Sequence, residues 1–434
     1  MRILVLSNEV WNDKINGNNV TSNWFEGMNA DFANIYASPD SPDNKCCDKY
    51  FQITDKMMLR SIFTKNRAGK ELELRGHETV LAEAEPQKLY GFLKKISGSF
   101  VRFARECLWL VGKYDYEAMS NFINEFKPDI VFSERMATCK MLRLEKVVSL
   151  ITDAPIVAFT GDDEYSLRRI RISPFFWINR IMIRNRLREM VKKYKIYYTL
   201  SYEQLVDYER RFECKMKILQ KCGEFPENYR ERQIHNPIKI IYAGKFYCNR
   251  WKVLAQIADE LRRINIDGVR VILEIYTRDV PTRKQKELLD DRRSSFIMGG
   301  VSQEELKIRY NEADIALHVE SCDLKNRLDT RLSFSTKIVD CIASGCAVLA
   351  YCWEKHAGLT YLKREDAAIC VSSKMELRNA LEEIVNRKEI IASYAKKAYE
   401  CGIRNHRRDD VQRMLLADFE SIITEGGCNE NIAN

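Results

Sequence analysis

Short apolar runs, two sets of six, constrain this chain more than any other feature. The first set is Ile3–Leu6, Asn34–Ala37, Asp129–Ser133, Ile156–Thr160, Tyr197–Ser201 and Met216–Leu219. The second is Ile238–Ala243, Val271–Tyr276, Phe296–Gly299, Ile315–Val319, Ala347–Tyr351 and Ala368–Val371. Each run is too short for a helix, and helix-patterned or long polar segments separate its neighbours. Buried strands that alternate with helices predict parallel sheets joined by right-handed crossovers. Within the second set, Val253, Ile257, Leu261 and Ile264 recur at helical spacing and mark its first crossover helix.

At 434 residues the chain suits two domains. The reading places an N-terminal Rossmann-like domain at 1–221, a hinge at 222–237 and a C-terminal Rossmann-like domain at 238–395. Helices at 396–425 are expected to pack back on the first domain. The hinge follows from Cys222-Gly223-Glu224-Phe225-Pro226, which has no period and holds both Gly and Pro. The opening run Arg2–Ser7 is too short for a signal peptide or span, and no run reaches the roughly 18 apolar residues of a membrane helix. A cytoplasmic protein is expected, with the inner membrane face as a second location. The 14 cysteines are scattered without a CxxC pair and read as reduced packing thiols, and the five histidines show no metal-ligand spacing, so no metal is expected.

The net charge of +8 gathers partly in 180–195, where Arg184, Arg186, Arg188, Lys192 and Lys193 interleave with Ile181, Ile183, Leu187 and Val191. Two readings stay open: a helix resting on an anionic membrane through 175–195, or an amphipathic helix with a basic solvated face. Nucleic acid is not expected, because the aromatic-basic patterns of common RNA-binding modules are absent.

In doubly wound domains ligands bind at the carboxyl ends of strands, so the loops that follow strands carry the chemistry. Around Gly17, Asn16 to Thr21 is small and polar enough to let backbone amides approach a phosphate. Gly161-Asp162-Asp163-Glu164 offers acids that could orient an acceptor or cap the next helix, with Asp162 ahead of Asp163. Gly244 to Lys252 places Lys245, Arg250 and Lys252 where a helix opens, a pattern suited to a diphosphate. Lastly, Ser335-Thr336-Lys337-Ile338-Val339-Asp340 reads as a capped helix start, closed by Gly345 and a buried strand. Amides and a dipole there attract phosphate, and a carboxylate one turn in can accept from ribose.

On these residues the C-terminal half resembles nucleotide-sugar glycosyltransferases of the GT-B type, in particular family 4. Ile240 to Lys245 is similar to that family's opening strand and Gly-Arg/Lys turn. Phe296 to Leu306 resembles the segment flanking the nucleotide base, and Phe334 to Gly345 the signature that ends in a ribose-binding acid. The resemblance implies an α/β GT-B fold, two doubly wound parallel-sheet domains facing across a cleft. It also implies that Lys245 and Arg250 bind the diphosphate, helped by amides near Ser335, Thr336 and Lys337. Gly17 would lie under the phosphates from the opposite domain, Gly244 in the donor-binding turn, Gly300 and Val301 beside the base, and Asp340 on the ribose. The chain departs from the pattern at Leu332, where the family often has an acid, and at Gly161, where it tends to have a histidine.

The expected reaction is transfer of a hexosyl group from a UDP- or GDP-linked sugar to a hydroxyl of a saccharide or lipid-linked saccharide. Retention at the anomeric carbon is implied by the family, and cell-surface polysaccharide or glycolipid assembly by type. No cofactor is expected. No Asp-x-Asp occurs, which argues against the metal-dependent GT-A design. Two rivals remain: a nucleotide-sugar epimerase, and a catalytically silent nucleotide-sugar-binding protein favoured by Leu332 and Gly161.

Overall fold

A computed structural model of the chain describes residues 1–14, 20–72, 98–136 and 138–430, with side chains to 425. It divides into two compact units, one of Met1–Leu219 with the chain from Val411 onward, the other Gln220–Asp410. Each is built around one sheet.

The first unit carries eight strands: β1 (Arg2–Ser7), β2 (Asp31–Tyr36), β3 (Lys49–Gln52), β4 (Lys70–Leu72), β5 (Ile130–Glu134), β6 (Ile156–Thr160), β7 (Tyr194–Thr199) and β8 (Met216–Ile218). Their order is β4-β3-β2-β1-β5-β6-β7-β8, and only the β3–β4 pair is antiparallel. Both faces are covered. Leu4, Leu6, Ile35 and Val131 fill one core, while Trp24, Phe25, Phe132 and Phe159 interlock on the other face with ring centroids 4.5–6.5 Å apart. The last helix, Arg408–Glu430, joins this unit: Phe419 meets Phe132 at 6.4 Å, and Tyr198 donates to Asp418 at 2.8 Å.

The second unit carries β9 (Ile238–Ala243), β10 (Val271–Tyr276), β11 (Ser295–Gly299), β12 (Ile315–Val319), β13 (Ala347–Tyr351) and β14 (Ile369–Val371). All are parallel, in the order β11-β10-β9-β12-β13-β14. Ile240, Leu273, Ile275, Leu317 and Leu349 form its core, closed by the Arg250–Ile264 helix through Val253, Leu254, Ile257 and Leu261.

Some boundaries differ from the sequence reading. β3 and β4 escape the sequence reading because they are only four and three residues long and carry charges, with β4 at the sheet edge. β2 begins three residues before Asn34, whose amide is buried and donates to the Val5 carbonyl and Ser7 Oγ. The segment 222–237 lies inside the second unit, where Arg232 donates to the carbonyls of Tyr310 and Ser344. Residues 396–410 also belong there, since Tyr399 donates to the carbonyls of Pro226 and Glu227 at 2.9 Å and Ala395 joins the core. The return to the first unit starts at Val411. No disulfide occurs among the described residues, and no described helix is long and apolar enough to cross a membrane.

Candidate functional site

In each sheet the strand order reverses once, between β1 and β5 and between β9 and β12. Crossovers leave to opposite sides of such a point, and a crevice opens beyond the strand ends. In the second unit the residues that follow β9 and β12 meet there. Arg250 Nε donates to Glu320 Oε2 at 3.0 Å and Nη2 donates to Oε1, both side chains almost wholly buried. Burial works against charge on both, but each holds the other ionised: the arginine stays above its ordinary value and the glutamate below its own. Two of the three guanidinium nitrogens are thereby occupied. The Tyr247 ring lies 4.4 Å from the guanidinium carbon.

Beside this pair sits a third charge. Lys337 opens the helix Lys337–Ala343 that follows β12 in the chain. Its ammonium makes no hydrogen bond or ion pair among the described residues. Burial, then the repulsion of Arg250, push its pKa down to about 8. A Cβ on Gly244 would stand 2.6 Å from Lys337 Nζ and 2.6 Å from Tyr242 Oη, so only glycine leaves room at the end of β9. A half-buried cation with a like charge beside it and no acceptor is a costly arrangement in the empty protein. An anion would relieve it.

The other expected donor-site residues fall unevenly. Lys245 lies on the loop after β9 but is exposed, and its carbonyl accepts from Tyr242 Oη at 3.0 Å. Arg250 is spent largely on Glu320. Asp340 is half-exposed and paired with Lys221 Nζ at 2.5 Å. Thr336 has helical backbone and no side-chain cap bond, so the expected capped start is absent; the Ser335 carbonyl accepts from Ile338 at 2.9 Å. Leu332 is buried as a packing residue. Gly300 abuts Arg278, whose Nη2 donates to the Val301 carbonyl at 3.3 Å. Gly17 lies outside the described residues.

One grouping escaped the sequence because its members are far apart in the chain. His318, Cys352 and His356 are buried with ligand-type atoms within 4.8 Å of one another. Burial pushes His318 down to about 3 and lowers His356 as well, so both rings are neutral near pH 7. His356 Nδ1 accepts from the Gly358 amide at 3.1 Å. A neutral His356 ring then carries its proton on Nε2, where it is a hydrogen-bond donor. The trio is packed behind Glu320 as neutral groups.

At the reversal point of the first unit the charges have the opposite sign. Glu134 ends β5 in register with Ser7 of β1, and Thr21 Oγ1 donates to its Oε2 at 2.6 Å. Burial, and then Glu9, raise its pKa above the usual carboxylate range. Neither the loop pattern nor the resemblance had singled out Glu134; its position as the last residue of a strand beside β1 was the available signal. In the acidic loop after β6, Asp163 is structural. Its Oδ1 accepts from the amides of Tyr165 and Ser166, and Arg180 lies 3.6 Å away. Glu164 pairs with Arg135 in the core, leaving Asp162 as the exposed acid of the three. The carbonyl of Asp162 accepts from Gln204 Nε2 at 2.8 Å.

Solved structures share this architecture end to end. Anabaena HepE in complex with UDP aligns with a TM-score of 0.61 at 12% identity, over 97% of this chain and 100% of its own. Sucrose-phosphate synthase from Thermosynechococcus elongatus gives 0.60 at 10% identity, over 98% and 100%. WaaG, a glycosyltransferase involved in lipopolysaccharide biosynthesis, gives 0.55 at 12%, over 96% and 98%. No family model matches the chain. No curated protein matches it by sequence. At such identities the likeness is one of fold, and the fold is GT-B, with two parallel-sheet domains.

Proposed function

We propose that the chain is a glycosyltransferase that binds a nucleoside-diphosphate sugar at the strand ends of its second unit and transfers the sugar to a hydroxyl acceptor. The observation that carries this reading is Lys337: a half-buried ammonium with no acceptor, held over Gly244 and beside Arg250. A diphosphate supplies the missing negative charge. Structural neighbours support UDP over GDP as the base, since HepE was solved with UDP and with UDP-glucose.

In this reading the leaving diphosphate gains charge as the anomeric bond breaks. Lys337 and the remaining Arg250 nitrogen, Nη1, stabilise it, each contributing about 3 kcal/mol by analogy with oxyanion sites. Lys245 is an exposed point charge on the same loop. Asp340 reaches the ribose only by sharing its contact with Lys221. Gly300 and Val301 flank the base. On the acceptor side, Glu134 is the group poised to take or hold a hydroxyl proton, and Asp162 orients the acceptor from the surface. Retention, a hexosyl donor, metal independence, a lipid-linked acceptor and a role in surface-glycan assembly complete the proposal; WaaG's printed role supports the last of these. No covalent nucleophile is assigned.

The test is a thermal-shift panel of UDP-, GDP- and ADP-sugars, followed by a transfer and hydrolysis assay with the ligand that binds. Stabilisation by a UDP-sugar with slow hydrolysis supports the proposal. No stabilisation by any of them, or conversion of the sugar without release of UDP, refutes it, and the second result would make the chain an epimerase.

A further inference from the structure

We infer that the first unit docks on an anionic lipid surface through residues 167–192, with Ile172 as the inserting tip. From 165 to 195 the chain carries ten Lys or Arg and one acid, Glu189, a net of +9 against +8 for the whole protein. Everything else sums to about neutral. Asp163 and Glu164, just upstream, are buried; Asp163 neutralises the buried Arg180, so neither counts at the surface, which keeps nine Lys or Arg against one acid.

Exposed apolar side chains concentrate in the same stretch. Ile172 is 100% exposed, and Leu167, Ile170, Ile178 and Ile181 are exposed by 42–48%. The helix Pro174–Val191 turns its Ile183, Leu187, Met190 and Val191 into the core. On the outward face Ile178, Ile181, Asn185, Arg188 and Lys192 follow at spacings of 3, 4, 3 and 4, an unbroken exposed stripe. The segment ahead of the helix is fastened to it: Trp177 Nε1 donates to the Arg171 carbonyl at 3.0 Å, and Arg171 lies over the Phe176 ring at 5.3 Å. Ile172 is thus presented by an anchored turn. Phe175 is braced from beneath by Phe100 and Phe103, ring centroids 5.0 and 5.7 Å away.

Apolar tips ringed by cations are what an interfacial anchor needs: hydrocarbon enters the headgroup boundary while lysine and arginine meet anionic phosphate. A protein partner would need complementary acids as well as an apolar pocket, whereas a bilayer supplies both chemistries over any area. The structure also revises which residues of 175–195 would touch the membrane. Arg180 is buried and donates to the carbonyls of Asp163 and Ser166, and Arg184 stacks on Tyr165 at 3.9 Å, so these two arginines do not reach the membrane.

The experiment is co-sedimentation of the full chain with phosphatidylcholine vesicles containing or lacking phosphatidylglycerol, at low and high salt, without nucleotide. The inference expects pelleting only with phosphatidylglycerol, weakened by salt. It expects about a tenfold loss of partitioning in Ile172→Asp with Ile178→Asp, and a similar loss in Arg168→Glu with Lys192→Glu. UDP affinity, measured in parallel, stays unchanged in these variants and shows that they fold. Equal pelleting with neutral vesicles, no pelleting, or an unaffected Ile172 variant would overturn it. So would sedimentation velocity showing a dimer that this variant dissolves, because the patch would then belong to a second copy.

Discussion

The two strand-order reversals of this chain are built alike and charged oppositely. At β9/β12 the crevice gathers Lys337 and Arg250 beside a buried acid, Glu320. At β1/β5 it holds Glu134 with Glu9 nearby and a threonine donor. A parallel sheet provides the place for a ligand in both cases, and the side chains at the strand ends decide its chemistry. The cationic crevice suits a leaving group that gains negative charge, and the acidic one suits a hydroxyl that loses a proton. Function in this account is a division of labour between two equivalent positions in two similar folds.

Removing Lys337 should break that division most sharply. Lys337→Ala is expected to lower transfer about 10²–10³-fold and to weaken UDP binding in calorimetry, while the melting temperature holds or rises because a costly buried charge is gone. Arg250→Ala is a poorer test: it strands Glu320 in the core, and breaking a buried pair costs about 3–5 kcal/mol of stability. Next, Glu134→Gln should reduce kcat roughly 10²-fold with UDP affinity unchanged. A parallel loss of UDP affinity would place Glu134 in the donor site and erase the contrast.

Smaller effects sharpen the comparison. Gly244→Ala must displace the Lys337 ammonium, and a weakening of UDP binding by about tenfold is expected from the loss of one charged contact. The pH dependence follows from Lys337, lowered to about 8. The protonated form binds the diphosphate, so affinity is full below pH 8 and falls as pH rises through it. About tenfold is lost one unit above, and Lys337→Ala should flatten that profile. Lys245→Ala, an exposed loop cation, is expected to cost only a few-fold in transfer.

Much of the fold was legible because parallel strands buried on both faces read as apolar runs, and every long central strand did so. The short strands β3 and β4 did not, since Lys49, Lys70 and Glu71 break their pattern and partner pairing alone makes them strands. The cationic site was legible as a region and not as roles. Spacing marked Lys245, Arg250 and Lys337 together, but only three dimensions show that Glu320, 70 residues on, occupies Arg250 and leaves Lys337 unmatched. Asp163 looked like its neighbour Asp162 in sequence, and hydrogen bonds to Tyr165 and Ser166 separate them. Glu134 gave no local pattern, because its setting comes from β1 and Thr21, more than a hundred residues away.

The most direct measurement is a crystal structure of the chain soaked with UDP. The account predicts the diphosphate beside Gly244, hydrogen-bonded to Lys337 Nζ and Arg250 Nη1, with the Arg250–Glu320 pair intact. A nucleotide bound elsewhere, with the Lys337 ammonium still lacking an acceptor, would contradict it.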